Sequence, residues 1–272
     1  MNAIQSLTNL LAERAELDRT LASKLQKSIL QEAIQGHLVP QDPAEEPAEE
    51  LLKRIHKEKE KLVRGGKLKR KDVVESNIFK GEDNKYYEKC GNTITCIDDE
   101  LPFDIPEKWQ WVRLRQVCSD FIVPQRDKPT AFNGTIPWCR IEDIEGKYLN
   151  GSKSNQLVTK ELADRMNMHL CPKGTVICAC SASIGNQAIT TVDCYTNQTF
   201  IGIVCDNRIL YNEYLYYFLM SQKQALRDMG KGTTISYISR KKFENYFLPL
   251  PPIQEQKRIV NKIEDLASIM SR

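Results

Sequence analysis

The stretch FLPLPPIQEQKRIV, Phe247–Val260, divides the chain into two physical regimes. Pro249, Pro251 and Pro252 halt the apolar run before them, because proline fixes φ and has no backbone N–H. Proline is also favoured where a helix begins, so the same residues launch a helix toward the C-terminus. From Gln254 the sequence QEQKRIVNKIEDLASIM places Ile259, Ile263, Leu266 and Ile269 on one stripe at helical spacing. That stripe requires a partner.

The start of the chain supplies a candidate. Residues 1–35 contain no Pro or Gly, and Ile4, Leu7, Leu11, Leu17, Leu21, Leu25 and Ile29 recur mostly three or four residues apart. The spacing predicts a helix of about nine turns, ~50 Å long. Gly36 and then Pro40 end it. Such a helix exceeds what one small domain needs, so its stripe seeks another helix of this chain or another chain. The simplest pairing is antiparallel, with Leu17, Leu21 and Leu25 facing a partner helix and Ile259, Ile263 and Leu266 doing the same from the C-terminal side.

Between the two helices the chain changes character several times. A second helix opens at Pro47, with Glu49 and Glu50 at its positive end. Gly65-Gly66 stops it, and the basic run Lys67–Lys71 reads as a solvated tether. Residues 72–100 are polar, with short strands near Tyr86 and Ile94. From Leu101, short β-like runs (TIPWCRI, GTVICACS, QAITTV, TFIGIVC) alternate with helical segments at Thr159–Met168 and Asn212–Gly230. The predicted fold class is α+β: a mixed α/β domain on long amphipathic helices that form an antiparallel coiled-coil spacer. The expected divisions are a helical spacer at 1–71, a linker at 72–100, the mixed domain at 101–250 and a final spacer helix at 251–272.

Composition excludes several classes. The 272 residues are 41% hydrophobic and 28% charged, ordinary for a globular protein. No apolar run approaches the ~20 residues of a membrane span. The first residues lack the basic start and cleavage site of a signal peptide. A cytoplasmic protein without membrane contact is the expectation. Nine cysteines cannot all pair within one chain, and none stand in C-x-x-C, so reduced thiols without a metal are expected.

Net charge is +3 and unevenly placed: residues 101–250 hold 18 Lys+Arg against 14 Asp+Glu, the first hundred 17 against 19. Lys223, Arg227, Lys231, Arg240, Lys241 and Lys242 face only Asp228 nearby in sequence. A basic stretch of this kind neutralises phosphates or forms a solvated face.

Catalytic motifs are absent. There is no G-x-x-x-x-G-K-[ST], no G-x-G-x-x-G after a strand, no H-E-x-x-H and no G-x-S-x-G. Glu142, Glu145 and Lys147 contain an E-x-K, which leaves a small Mg-dependent nuclease as an alternative. What remains are polar loops. CSASIGNQ (Cys180–Gln187) groups Ser181, Ser183, Asn186 and Gln187; YTNQTF (Tyr195–Phe200) adds Asn197 and Gln198; MGKGTTISY (Met229–Tyr237) presents Lys231, Thr233 and Thr234. Such side chains pair with base edges, or else cap their own turns.

In order and number these segments resemble the specificity subunits of type I restriction-modification systems. GTIPWCRIEDIEG (Gly134–Gly146) is similar to the opening of their target-recognition domain, and KGTVICACSASIGNQAIT and NQTFIGIV to its middle strands. GTTISYISRKKFENYFLPLPPIQEQKRIV is similar to the close, ELPFDIPEKWQWVRL to the entry, and KLQKSILQEAIQGHLVPQDPAEEPAEELLKRI (Lys24–Ile55) to the central spacer.

The resemblance implies a non-catalytic reader of double-stranded DNA. In that family two recognition domains, set apart by antiparallel helices, each read half of a bipartite site. Methyltransferase subunits dock on them and supply S-adenosylmethionine, and restriction subunits add ATP- and Mg-dependent cleavage; this chain would bind none of these cofactors. Here one recognition domain stands where the family has two, so the expectation is a half-subunit or a fragment, able to form a homodimer through its helices. Arg126, Lys128, Arg140 and Lys231 would touch phosphate or guanine, with Ser181, Ser183, Asn186, Gln187, Thr233 and Thr234 reading or positioning base edges. Other readings are the recognition module of a different methyltransferase or nuclease system, and a plain coiled-coil scaffold.

Overall fold

Helix α1 (Ala3–Gln35) ends where Gly36 takes a φ of 80°. A Cβ there would lie 2.3 Å from Cγ of Pro106, so glycine is required both by conformation and by close approach. The computed structural model describes residues 3–66, 76–124, 127–231 and 236–270. The Lys67–Lys71 run lies outside them, as do Arg126, Thr233 and Thr234.

After Pro47, helix α2 (Ala48–Arg64) carries Glu49 and Glu50 in its first turn and Lys61 and Arg64 in its last, each complementing the helix dipole. Ala48, Leu51 and Ile55, three and four residues apart, form its buried stripe. Next comes an antiparallel meander of β1 (Ser76–Lys80), β2 (Tyr86–Cys90) and β3 (Thr93–Cys96). The sequence predicts the strands near Tyr86 and Ile94 but not β1, where only Ile78 is fully buried and period-two alternation is too short to read.

Strand β4 (Gln110–Arg113), the short helix α3 (Leu114–Val117) and β5 (Cys118–Ile122) lead into the mixed domain. It continues through β6 (Ile136–Cys139), β7 (Tyr148–Leu149), β8 (Leu157–Val158), α4 (Lys160–Arg165), β9 (Val176–Ala179), β10 (Gln187–Thr190), β11 (Tyr195–Thr196) and β12 (Phe200–Cys205). Five strands form the main sheet in the order β5-β12-β9-β10-β7, while β11-β6-β8 form a smaller one. Only the β7–β10 pair of the main sheet is parallel. Fully buried strands such as β9 (VICA) and β12 (FIGIVC) read as continuous apolar runs because both faces are covered.

The helix expected over Asn212–Gly230 is two helices, α5 (Asn212–Ser221) and α6 (Lys223–Gly230), broken at Gln222 (φ −89°, ψ 6°). The break separates two kinds of helix. α5 buries Tyr214, Leu215, Tyr216, Phe218 and Leu219, whereas α6 buries only Leu226 and Gly230, with Lys223 half-buried and Arg227 exposed. α4 is likewise shorter than Thr159–Met168: Thr159 caps it by accepting from the Leu162 N–H at 3.1 Å, and Asn167 (φ 51°) lies just past its end.

Helix α7 (Arg240–Glu244), β13 (Phe247–Leu250), paired antiparallel with β4, and α8 (Ile253–Met270) complete the chain. The proline-rich joint is held by Gln256, which is fully buried. Its Nε2 donates to the Ile209 and Pro251 carbonyls, both at 2.9 Å, and its Oε1 accepts from the Tyr211 N–H at 2.8 Å. Glu255 beside it is fully buried and accepts from Gln41 at 2.6 Å, while Arg258 pairs with Glu45. Burial raises the Glu255 pKa, opposed by hydrogen bonding and the Arg258 charge. A raised acid pKa contributes stability below the ordinary glutamate range and loses it as pH rises through the folded value. E255Q is therefore expected to flatten that decline, read as the pH dependence of the urea midpoint.

The expected long coiled-coil spacer is not formed by the described residues. α8 packs against α1 and α5, and its Ile259 and Ile263 are buried there, with Leu266 half-buried. Only the last turns of α1, at Leu30, Ala33 and Ile34, enter the core. Leu11, Leu17, Leu21 and Leu25 stand 58%, 70%, 65% and 45% exposed. The physical reason is length: α1 has 33 residues and α8 has 18, and the stripe of α8 is spent on the domain. All nine cysteines are free. No helix among the described residues is long and apolar enough to cross a membrane.

Candidate nucleic-acid interface

Strand register brings the polar loops to one end of the main sheet. Gly202 of β12 lies opposite Ile122 of β5, Phe200 opposite Ala179 of β9, and Gln187 of β10 opposite Cys178. The segments just after β5 and β9, and those just before β10 and β12, therefore leave from the same edge. These are residues 123–124 that follow β5, the Cys180–Gln187 loop and the Asn197–Thr199 turn. Hydrogen bonds tie them together: Cys180 N donates to the Thr199 carbonyl at 2.8 Å, and Ile238 N to the Cys180 carbonyl at 2.8 Å. Ser181 also bridges to Tyr237, placing the segment around Lys231 beside this loop. Through β11–β6 pairing, Asn197 N reaches the Cys139 carbonyl at 3.0 Å, which sets Arg140 at the same end.

The cations of α6 belong to this surface. Lys223 Nζ donates to Asn186 Oδ1 at 2.8 Å, and Arg227 Nε to the Ile184 carbonyl at 3.4 Å. Burial, with the neighbouring Arg227 charge, depresses the Lys223 pKa. Two like charges held against one loop lower their mutual cost when an anion arrives. Lys242 Nζ donates to the Met229 carbonyl at 2.7 Å on the adjoining segment. Ala182, exposed at the loop tip, holds a φ of 54°, a left-handed value unusual for a residue with a Cβ.

The predicted contacts are not alike. Lys128 is exposed, over the Phe132 ring at 5.6 Å from its centroid. Arg140 is half-buried; it pairs with Glu142 at 2.8 Å and reaches Ser154 at 3.3 Å, and its Nε is buried with no acceptor among the described residues. Ser181, Ser183 and Asn186 are half-buried along the loop. Lys231 is exposed and pairs with Asp228 at 2.5 Å. Gln187 differs: it is 7% exposed within β10, so it serves the sheet's own packing. Lys223 and Arg227 enter the surface through tertiary contacts, although the sequence marked them only as part of a basic run.

The nuclease alternative does not assemble. Lys147 turns to Glu213 at 2.6 Å and to Glu264, while Glu145 pairs with Lys153 at 2.7 Å and Glu142 with Arg140. Burial works against the Lys147 charge, but the two carboxylates hold its pKa well above the usual lysine value. It acts as a clamp between the β7 approach, α5 and α8. K147M leaves Glu213 and Glu264 without their cation, with only the Tyr148 and Tyr217 hydroxyls as partners, and is expected to cost about 2 kcal/mol in urea unfolding. The described residues hold no cluster of three or more His, Cys, Asp or Glu placed to bind a metal.

The fold is a mixed α+β domain with a polar, cationic loop surface at one sheet end. Residues 106–271 match the family described as the type I restriction modification DNA specificity domain, and the chain belongs to that family. It is 28% identical over 263 residues to the EcoAI specificity subunit of Escherichia coli, covering 89% of this chain and 39% of that one. Against the MjaIX specificity subunit of Methanocaldococcus jannaschii it is 25% identical over 160 residues, covering 57% of this chain and 37% of that one. The chain thus spans about two fifths of the curated relatives it matches. Among solved structures, the HsdS subunit from Thermoanaerobacter tengcongensis aligns over 98% of this chain and 51% of its own, at TM-score 0.51 and 18% identity. A chain from a study of assembly and conformational transition in the type I system aligns over 98% and 51%, at TM-score 0.55 and 19% identity. At these identities the structural likeness speaks for the fold alone.

Proposed function

We propose that the chain is the DNA-reading part of a type I restriction-modification specificity subunit, reading one half of a bipartite site on double-stranded DNA. The observation that carries this is the meeting of the Arg140, Cys180–Gln187 and Lys231 segments at one sheet end, backed by Lys223 and Arg227. Phosphate contacts would fall to Lys128, Arg140, Lys223, Arg227 and Lys231, and edge contacts to Ser181, Ser183 and Asn186. The same assignment extends to Arg126, Thr233 and Thr234. Methyltransferase subunits would dock on the helices and bring S-adenosylmethionine, and restriction subunits would bring ATP- and Mg-dependent cleavage. Methylome sequencing of cells expressing the chain with its methyltransferase should reveal a bipartite methylated motif; none appearing counts against the reading. For the assembled complex, K231A should lower the slope of log affinity against log salt by about 1 while leaving the motif unchanged.

The exposed Leu17, Leu21 and Leu25 support the second part of the proposal, that two copies pair through α1 to set the half-site spacing. Sedimentation should show a dimer that the double variant L17D/L21D converts to monomer. A wild-type chain that stays monomeric at high concentration removes the pairing.

A further inference from the structure

A second recess lies away from the polar loops. Helix α2, strand β1 and helix α3 enclose a cavity of about 340 Å³, within the size range of small-molecule sites. Ile209, just beyond the end of β12, closes it, as do Arg115 and Gln116, just before the start of β5. Cys118 and Cys205 lie opposite each other at that end, so the cavity sits at the pole opposite the candidate DNA surface.

Its lining has two parts. The floor is apolar: Ile55, Ile78, Val112 and Ile209 are buried at 5% exposure or less. Around it stand Lys53, His56 and Lys59 from α2, Lys89 from β2, and Arg115 from α3. Lys53 is answered by Glu49 at 2.8 Å and Glu50 at 3.0 Å, and His56 lies 3.6 Å from Glu60. Among the described residues, Lys59, Lys89 and Arg115 make no ion pair. The acids near them are already engaged: Asp206 by Arg208 at 2.7 Å, and Glu88 by Arg113 at 2.6 Å and Ser76 at 2.6 Å.

The wall is built and incomplete at once. Gln116 Nε2 donates to the Ser76 carbonyl at 2.7 Å, its Oε1 accepts from Arg113 N–H at 2.7 Å, and Gln110 donates to the Ile78 carbonyl. Yet Trp111 Nε1 and Arg115 Nε are buried without an acceptor among the described residues. Leaving a buried donor unpaired costs about 1–3 kcal/mol, and more for a charged group, a cost that an acceptor on a bound ligand would offset. A cationic rim disfavours a neutral ligand, and an apolar floor gives a bare inorganic ion nothing to cover.

We infer that this cavity is a binding site for a small anion carrying an apolar ring body, of the nucleoside phosphate class. Lys59, Lys89 and Arg115 hold the phosphate, and the apolar floor receives the body. ADP titrated into the full chain at low salt, followed by the indole N–H signal of Trp111 and by calorimetry, tests it. Binding should be saturable below about 1 mM, tighter than inorganic phosphate, and weakened by added salt. R115Q should weaken it roughly tenfold, and K89Q, at an exposed position harmless to folding, a few fold. The inference is overturned if ADP moves no Trp111 signal by that concentration, or if both variants bind as the wild type does. Equal affinity for inorganic phosphate would remove the apolar half, and displacement of ADP by a DNA duplex would return the site to the DNA surface.

Discussion

Exchanging Gln256 for leucine is expected to cost about 3 kcal/mol of folding free energy. Leucine fits the volume but removes one acceptor and two donated hydrogen bonds. It leaves the Tyr211 N–H and the Ile209 and Pro251 carbonyls unpaired in a position of zero exposure. A lower urea midpoint at unchanged m-value is the expected readout, since the loss is local and the surface exposed on unfolding is not altered. The variant should also loosen the joint between domain and helix. On the proposed function, modification of a bipartite site by the assembled complex would fall more than binding of a half-site oligonucleotide. An unchanged midpoint would mean the three groups find water, and that the joint is held by its prolines alone.

Gly134→Ala should be comparably severe for a different reason. A Cβ at residue 134 would lie 1.9 Å from the Val158 carbonyl carbon, 2.0 Å from its oxygen and 2.2 Å from Thr159 N. These are backbone atoms, so no rotamer change relieves the overlap. The pairing there is tight because Gly134 N donates to the Leu157 carbonyl at 2.9 Å and Thr135 N to Val158 at 3.2 Å. Methyl insertion must push β6 from β8, and a cost of about 3 kcal/mol is expected. In a thermal melt this corresponds to a fall of about 10 °C for a domain of this size. Because β6 leads directly to Arg140, on the proposed function the surviving folded fraction would bind DNA more weakly. A melting temperature within a degree or two of wild type would show that the two strands separate freely.

Much of the architecture was legible because it depends on local rules. Proline placement gave the joint at Phe247–Val260, and Gly36 gave the end of α1. The apolar runs around Val176–Ala179 and Phe200–Cys205 gave the central strands. Strand β1 was missed because five residues with one buried side chain carry no usable period. The break at Gln222 was missed because neither Gly nor Pro marks it; it arises from α5 being buried all round while α6 is not.

The candidate surface divides along the same line. Residue type in polar loops picked out Ser181, Ser183, Asn186 and Lys231, and the family resemblance added Lys128 and Arg140. Residue type also picked out Gln187, whose burial in β10 no spacing rule reveals. Lys223 and Arg227 gained meaning only from α6 lying against the Cys180–Gln187 loop, a contact between segments some forty residues apart.

The sequence by itself determined the helix-domain-helix order, the family pattern and the chemical character of the loops, because capping, periodicity and side-chain type act over a few residues. Tertiary structure alone decided that those loops share one sheet end, that α8 spends its stripe on the domain, and that Leu17, Leu21 and Leu25 remain uncovered. Register and the competition of faces for one core are long-range properties, and they are set only when the whole chain is packed.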